Sequence, residues 1–332
     1  MQLMVRETFM SAKTRYLVTG GAGFIGSHLV DFLVDRGFEV RVIDNFSSGS
    51  PGNILEHLKS GKAELVEGDI RNAELVKKCL EDVNVVAHLA AVTSVPFSVA
   101  NPTLTYDVNV NGTLNLLRCC VEAKVDKLVF ASSCAVYGDP KKLPVNEKAL
   151  PNPISPYAES KLEGERHCRN ICLQEVLKAV VLRFFNVYGS RQGVNDYSGV
   201  ITKFIDHSKR GLPLIVYGDG SQSRDFVSVY DVVKAVVASA ENDSANGEVL
   251  NIGSGKAVTI NNLAKTIADL SGRKPEIRHE AARIGDIKGS RADISKAKRL
   301  LGYVPVVSLE DGLRSLMDVG ISSDKSAGKS RR

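Results

Sequence analysis

The chain has no C-x-x-C pair. Its six cysteines, Cys79, Cys119, Cys120, Cys134, Cys168 and Cys172, are scattered over 332 residues. A chain of that length buries a sizeable core without disulfide staples, so reduced thiols and a cytoplasmic location are expected. His167, Cys168 and Cys172 share one helical face but do not make the closed set of four ligands that structural zinc needs, and no metal is expected. No apolar run reaches the ~18 residues of a membrane span. The N-terminal MQLMVRETFMSAKTR lacks the long apolar core of a signal peptide. No membrane partner is expected. Much of the net charge of +5 sits in the last stretch, SSDKSAGKSRR, which has four basic residues, almost nothing apolar and no interleaved aromatics. It reads as a solvated tail over 319–332, and no nucleic-acid partner is expected. No internal repeat is visible.

What is present is an alternation. Short, nearly continuous apolar runs read as strands buried on both faces: RYLVTG (15–20), VRVID (40–44), AELVEGD (63–69), VNVVAHLA (83–90), KLVFASS (127–133) and AVVLRFF (179–185). Between them FIGSHLVDFLVDRG, NAELVKKCLED, TYDVNVNGTLNLLRCCVEA and SPYAESKLEGERHCRNICLQEV carry helical periodicity. Strands alternating with helices predict an α/β fold with a Rossmann-type, doubly wound parallel sheet. After Asn186 the pattern changes to turn-rich pieces, then an apolar helix DVVKAVVASA and a strand GEVLNIG. From Thr259 to about Met317, two helices and a loop are expected. The domain division predicted is 13–186 plus about 225–257 for a dinucleotide-binding domain. A smaller mixed α/β lobe, 187–224 plus 258–318, would cap the carboxyl edge of the sheet.

The first strand runs into VTGGAGFIGSHLV. Gly20, Gly23 and Gly26 form G-x-x-G-x-x-G at the entrance to a helix. Glycines there tighten the turn, admit a pyrophosphate to the backbone and let helix and strand pack closely, with the phosphate at a helix N-terminus. Asp44 ends the next strand, where a carboxylate binds both ribose hydroxyls and repels a 2′-phosphate. No arginine follows it directly; the sequence reads DNFSSG. The cofactor expected is NAD rather than NADP.

In SPYAESK, Ser155 suits an N-cap and Pro156 a first helical position, so Tyr157 opens a helix and Lys161 lies one turn along the same face. A tyrosine titrates near ~10, too high for a base at neutral pH. Lys161 together with a positive nicotinamide ring would favour the phenolate. Such a group could deprotonate a sugar hydroxyl while hydride leaves the same carbon. KLVFASS ends at the ligand-binding edge of the sheet, and Ser133, with Ser132 as fallback, is expected to orient that hydroxyl.

These stretches, TGGAGFIG, DVNVNGT, SSCAVYG and YAESK, followed by RFFNVYG, GDGSQSRDF and GDIKGSRADISKAKRLLGY, resemble the extended short-chain dehydrogenase/reductases over residues 13–318. Within them the chain looks most like UDP-sugar 4-epimerases. The resemblance implies catalytic roles for Ser133, Tyr157 and Lys161. It implies NAD contacts at Gly20, Gly23, Phe24, Ile25 and Gly26. Further contacts are expected at Asp44, Asn45, Ser48, Gly49, Asp69 and Ile70, and at Leu89, Ala90, Ala91, Asn109, Tyr157, Lys161 and Phe185. It implies oxidation at the sugar C4, rotation of the 4-keto sugar, and return of hydride to the opposite face. UDP-glucose and UDP-galactose would be interconverted.

Substrate contacts follow the motifs. Asn186, Arg224 and Arg283 would hold the diphosphate, the arginines by paired hydrogen bonds. Asp286 would hold the nucleoside ribose, and Tyr217 with the LPLIVYG strand would border the uracil. Ser290 stands where a bulky residue restricts relatives to plain hexoses, so UDP-N-acetylglucosamine and UDP-N-acetylgalactosamine are expected to fit. Thr93 and Ser94 stand where some epimerases carry a lysine near the diphosphate. Cys134 and Ala135 replace the Asp–Glu pair of 4,6-dehydratases, and Ala135 replaces a glutamate usual in UDP-glucuronate decarboxylases. A UDP-glucuronate epimerase stays open, since Arg291 or Thr93 could face a carboxylate. A non-catalytic NAD sensor would typically lack the Tyr–Lys pair. A homodimer through a four-helix bundle of TYDVNVNGTLNLLRCCVEA and SPYAESKLEGERHCRNICL is also implied.

Overall fold

The computed structural model describes residues 14–174, 177–193, 199–283 and 285–318. Lys13 and the tail expected over 319–332 lie outside the described residues.

Apolar residues alternate between the two faces of every central strand. In Arg15–Thr19, Tyr16 and Val18 face one core while Leu17 faces another. Strands of this kind are stable only when covered on both sides. Among the described residues seven strands assemble into one parallel sheet. Across the sheet they run Val249–Ile252, Lys178–Phe184, Lys127–Ser133, Val85–His88, Arg15–Thr19, Glu39–Asp44 and Ala63–Glu67. Helices Phe24–Asp35 and Val229–Glu241 cover one face, contributing Leu29, Leu33, Val232 and Val236. Helices Ala73–Cys79, Gly112–Glu122 and Pro156–Leu173 cover the other with Val76, Leu116 and Cys168. Each fully buried side chain of this size contributes about 1.5–3 kcal/mol. The chain winds outward in both directions from Arg15–Thr19. The crevice between it and Val85–His88 is therefore the switch point where open α/β sheets bind ligands.

A third core joins Phe204, Ile205, Leu214, Val216, Leu263, Ile267 and Leu313 beyond the carboxyl end of the sheet. Ala297 and Tyr303 pack instead into the first sheet core. Among the described residues three helices, not the expected two, follow Thr259: Ile260–Ser271, Ser295–Leu301 and Leu309–Asp318. The strand Ile277–Glu280, parallel to Leu214–Tyr217, was not anticipated. All its residues are exposed, so no burial pattern marked it.

The expected helix over 105–123 is interrupted. Helix Pro102–Tyr106 passes through a π-helical turn, Asp107–Asn111, into Gly112–Glu122. Such turns cluster at functional sites because the extra residue redirects side chains. The cap expected at Ser155 is present: its Oγ accepts from the Ala158 amide at 3.2 Å, with Pro156 opening the helix. Ser155→Ala should cost about 1 kcal/mol, read as a lower urea midpoint at unchanged m-value. Among the described residues no helix is long and apolar enough to cross a membrane.

Candidate active site

The glycine loop follows from two close approaches. Gly20 has φ +69°, and a Cβ there would lie 2.8 Å from the Ala90 amide nitrogen. A Cβ on Gly26 would lie 2.1 Å from the Gly20 carbonyl oxygen, so the helix reaches the turn only because Gly26 has no side chain. Gly23 is the N-cap of Phe24–Asp35 and offers the helix no side-chain acceptor. The first-turn amides at Phe24 and Ile25 thus suit a pyrophosphate.

Asp44 is buried at the end of Glu39–Asp44. Its two oxygens accept from the Ala22 amide at 2.9 Å and the Phe46 amide at 2.8 Å. Each keeps lone-pair capacity for a ribose hydroxyl. Burial raises its pKa above the usual carboxylate range, with the two amides opposing. Gly49 packs against this carboxylate. Asn45 donates to Asp69 at 3.1 Å, and Asp69 is held down at about 2, chiefly by its hydrogen bond from Arg71. The glycine turn, the first-turn amides and the Asp44 carboxylate fit NAD.

At the end of Lys127–Ser133 the Tyr157 phenol lies beside the Ser133 side chain, whose Oγ accepts from the Ala135 amide at 3.1 Å. Its backbone is pinned on both sides. The Tyr157 amide donates to Ser98 Oγ at 3.1 Å, and its carbonyl accepts from Ser160 Oγ at 2.8 Å. Ser132, the fallback, points the other way and donates to Glu165 at 2.5 Å. Successive residues of a strand face opposite sides, which separates the two serines. Buried Lys161 donates to the Ala131 carbonyl at 2.8 Å, and burial pushes its pKa down to about 8. One expectation is corrected here. Burial pushes Tyr157 up to about 12 against a lowering from Ser133, and Lys161 is not what opposes it.

The substrate candidates converge in part. Asn186 is bonded through its amide to the Asp225 carbonyl at 3.0 Å. Arg224 donates to the Ile287 carbonyl at 2.9 Å and pairs with Asp286. The Arg283 guanidinium stacks over the Tyr217 ring at 3.7 Å. Phe185 and Ser290 are buried on the wall of one small cavity with Cys134 and Tyr137. The Ser290 hydroxyl lies against the Cys134 thiol and has no well-formed hydrogen bond among the described residues. Burial pushes that thiol up to about 12, so it stays neutral. Thr93 is exposed at the start of the Ser94-capped helix Val95–Ala100. Among the described residues no group of three or more His, Cys, Asp or Glu could hold a metal.

Two residues went unnoticed in the sequence. Asp225 is wholly buried and accepts from the amides of Ser254, Gly255 and Ala292 and from the Ser254 hydroxyl, tying the 290–292 loop to the sheet edge. Its signal was a carboxylate directly before the apolar strand Phe226–Ser228 and beside Arg224. His88 carried a similar signal, a lone histidine ending an apolar strand.

A glycine-walled dinucleotide path, a carboxylate at the second strand end and a tyrosine–serine pair at the switch point define an NAD-using sugar-modifying class of the Rossmann type. The NAD dependent epimerase/dehydratase family matches residues 16–253. The chain belongs to that family, and NAD is its cofactor. A putative UDP-glucose 4-epimerase of Methanocaldococcus jannaschii is 41% identical over 91% of this chain and 97% of its own. UDP-glucuronic acid decarboxylase 1 of Danio rerio is 39% identical over 92% of this chain and 72% of its own. The solved UDP-N-acetylglucosamine 4-epimerase of Methanobrevibacter ruminantium, in complex with UDP-N-acetylmuramic acid, superposes with TM-score 0.88. It is 39% identical, over 92% of this chain and 97% of that one.

Proposed function

We propose that the protein is an NAD-dependent UDP-sugar 4-epimerase, acting on UDP-glucose and UDP-galactose and on the corresponding UDP-N-acetylhexosamines. The observation that carries this reading is the placement of the Tyr157 phenol beside Ser133 at the carboxyl end of the sheet. Ser133 orients the 4-hydroxyl, Tyr157 takes its proton, and Lys161 fixes the adjoining strand end through Ala131. Bound NAD supplies the acceptor and later the donor of one hydride. The proton then returns from Tyr157 to the 4-keto oxygen once the sugar has turned. Positioning and one poised base suffice for this chemistry. Gly20, Gly23, Phe24, Ile25, Gly26 and Asp44 hold the dinucleotide. Asn186, Arg224, Arg283, Asp286 and Tyr217 hold the UDP moiety, with the third core as the substrate lobe.

The decarboxylase relative favours a second reading, oxidation at C4 followed by loss of carbon dioxide from a glucuronate. Neutral Cys134 and Ala135 offer that chemistry no acid or base. Product analysis with UDP-galactose and added NAD decides between them. Conversion to UDP-glucose without net accumulation of reduced nicotinamide supports the epimerase. Turnover only of UDP-glucuronate, with release of carbon dioxide, overturns it.

A serine at 290 is smaller than the bulky residue expected to restrict relatives to plain hexoses, so Ser290→Tyr should lower kcat/KM for UDP-N-acetylglucosamine by roughly tenfold or more. The value for UDP-glucose should stay within about threefold. Equal losses on both sugars would remove the steric argument. We also propose a homodimer. An open groove of about 960 Å³ between the segments 100–111 and 156–159 is lined by Leu104 and Tyr106, both exposed. A second copy pairing these helices would cover it, and sedimentation velocity reads the mass directly.

A further inference from the structure

His88 is fully buried at the end of Val85–His88, away from any substrate contact assigned above. Its hydrogen bonds permit one proton arrangement. Thr113 Oγ donates its proton to the Asn109 carbonyl at 2.6 Å, so it must accept from His88 Nε2 at 2.9 Å. With the proton on Nε2, Nδ1 accepts from Thr19 Oγ at 2.7 Å. Thr19 Oγ in turn accepts from the Leu89 and Ala90 amides at 3.2 and 3.1 Å. A second proton on the imidazole would point a third donor at Thr19 Oγ and leave the Thr19 proton without an acceptor. Burial and the Lys161 charge push the imidazole down to about 3, in keeping with a neutral ring.

The chain of bonds continues past Thr113. The Asn109 side chain, set inward by the π-helical turn, is fully used. It accepts from the Val92 amide at 2.8 Å and donates to the Val92 carbonyl and to Ser160 Oγ, both at 2.9 Å. Ser160 Oγ donates to the Tyr157 carbonyl at 2.8 Å. Through the Asn109 backbone carbonyl on one side and its side-chain amide on the other, these bonds join the backbone at Leu89–Ala90, where a dinucleotide would rest, to the residue that carries the phenol.

We propose that His88 is a positioning residue which, as a neutral Nε2–H imidazole bridging Thr19 and Thr113, fixes the spacing between the dinucleotide floor at 89–92 and the Tyr157 helix. This rests on the epimerase reading only for the role of Tyr157. The dinucleotide side stands independently of it.

The two ring nitrogens can be separated by substitution. His88→Gln places an amide near Nε2, keeping the bond to Thr113 and losing that to Thr19. His88→Asn places one near Nδ1 and does the reverse. His88→Gln should weaken NAD binding by about tenfold, measured by titration of the NAD-free protein. His88→Asn should keep NAD affinity within about threefold but lower kcat per NAD-loaded site by about 30-fold, because misplaced reacting groups lose rate steeply. Ser160→Ala, which cuts the far end of the run, should lower kcat by about tenfold with NAD affinity unchanged. In the wild-type holoenzyme, ¹⁵N spectra of labelled histidine, with the His88 signal assigned by its loss in His88→Gln, should show that ring neutral and carrying its proton on Nε2. A proton on Nδ1 or on both nitrogens overturns the proposal. So do His88 variants that lose thermal stability alone, with wild-type NAD affinity and wild-type turnover per loaded site. If the wild type turns over no UDP-sugar at all, the epimerase reading fails while the spectrum and the NAD titrations still decide the role of His88.

Discussion

Tyr157→Phe will lower kcat for UDP-galactose conversion by about 10³-fold, while NAD and UDP-sugar affinities stay within about threefold. The substitution removes one oxygen from a ring held by the Ser98 and Ser160 bonds to its backbone, and neither bond involves the phenol. The helix therefore stays where it is, and the loss falls on proton transfer alone. General acid–base groups contribute about 10²–10⁴-fold, and this one works in both half-reactions. A pH signature accompanies the prediction. With burial holding the phenol at about 12, the phenolate absorbance that Tyr157→Phe removes, read as the difference between the two NAD-free proteins, should appear only in strong alkali. With NAD⁺ bound it should appear at lower pH, because a positive ring favours the anion. Unchanged turnover in Tyr157→Phe, measured by coupled assay on matched NAD-loaded protein, would sink the catalytic assignment.

The direction of that pKa shows where sequence reading stops. The Tyr–Lys spacing was legible because a helix puts positions four apart on one face. So was the cap, since Ser155–Pro156 states its role locally. The parallel sheet was legible in runs such as KLVFASS, whose β-branched and aromatic residues have no polar face to spare. Charges can be counted from a sequence, but burial cannot. Lys161 was expected to act on the phenol, yet it bonds to the Ala131 carbonyl, and desolvation dominates both groups. The π-helical turn at Asp107–Asn111 was illegible for a related reason: it exists to bring Asn109 to Val92 and Ser160, partners distant in the chain. Ser133 and Ser132 could not be separated until the strand's facing was known. Arg224 and Asp286 were assigned to different parts of one ligand, and the structure joins them to each other. A direct pairing of that kind, between residues 62 positions apart, is a coupling that motif spacing does not express.

Beneath the site, Arg183→Met should destabilise the protein by about 3–5 kcal/mol, more than any surface substitution. Arg183 and Glu165 are almost completely buried, and they meet through two bonds of 2.9 and 2.6 Å. Burial would lower the guanidinium's pKa, but Glu165 outweighs it and the pKa is raised. Glu165 also accepts from Ser132, and the Arg183 guanidinium lies 4.7 Å from the Tyr137 ring. The Tyr137 hydroxyl donates to Asn251 at 2.6 Å. Removing the arginine strands a carboxylate among these apolar and already satisfied neighbours, and that stranded charge is the source of the loss. The double variant Arg183→Met with Glu165→Gln separates this cause from mere loss of packing. The amide introduced by Glu165→Gln keeps an acceptor for Ser132 and buries no charge, so the double variant should be more stable than Arg183→Met alone. Urea denaturation of the wild type, both single variants and the double closes the cycle. Equal stability of the double variant and Arg183→Met would mean that lost packing, not the unpaired charge, sets the cost. Ser132 precedes Ser133 on the same strand, so a shifted Glu165 would also move the serine that meets Tyr157. Arg183→Met should then lower kcat even at temperatures where it is fully folded, and restoring neutrality with Glu165→Gln should recover part of that rate.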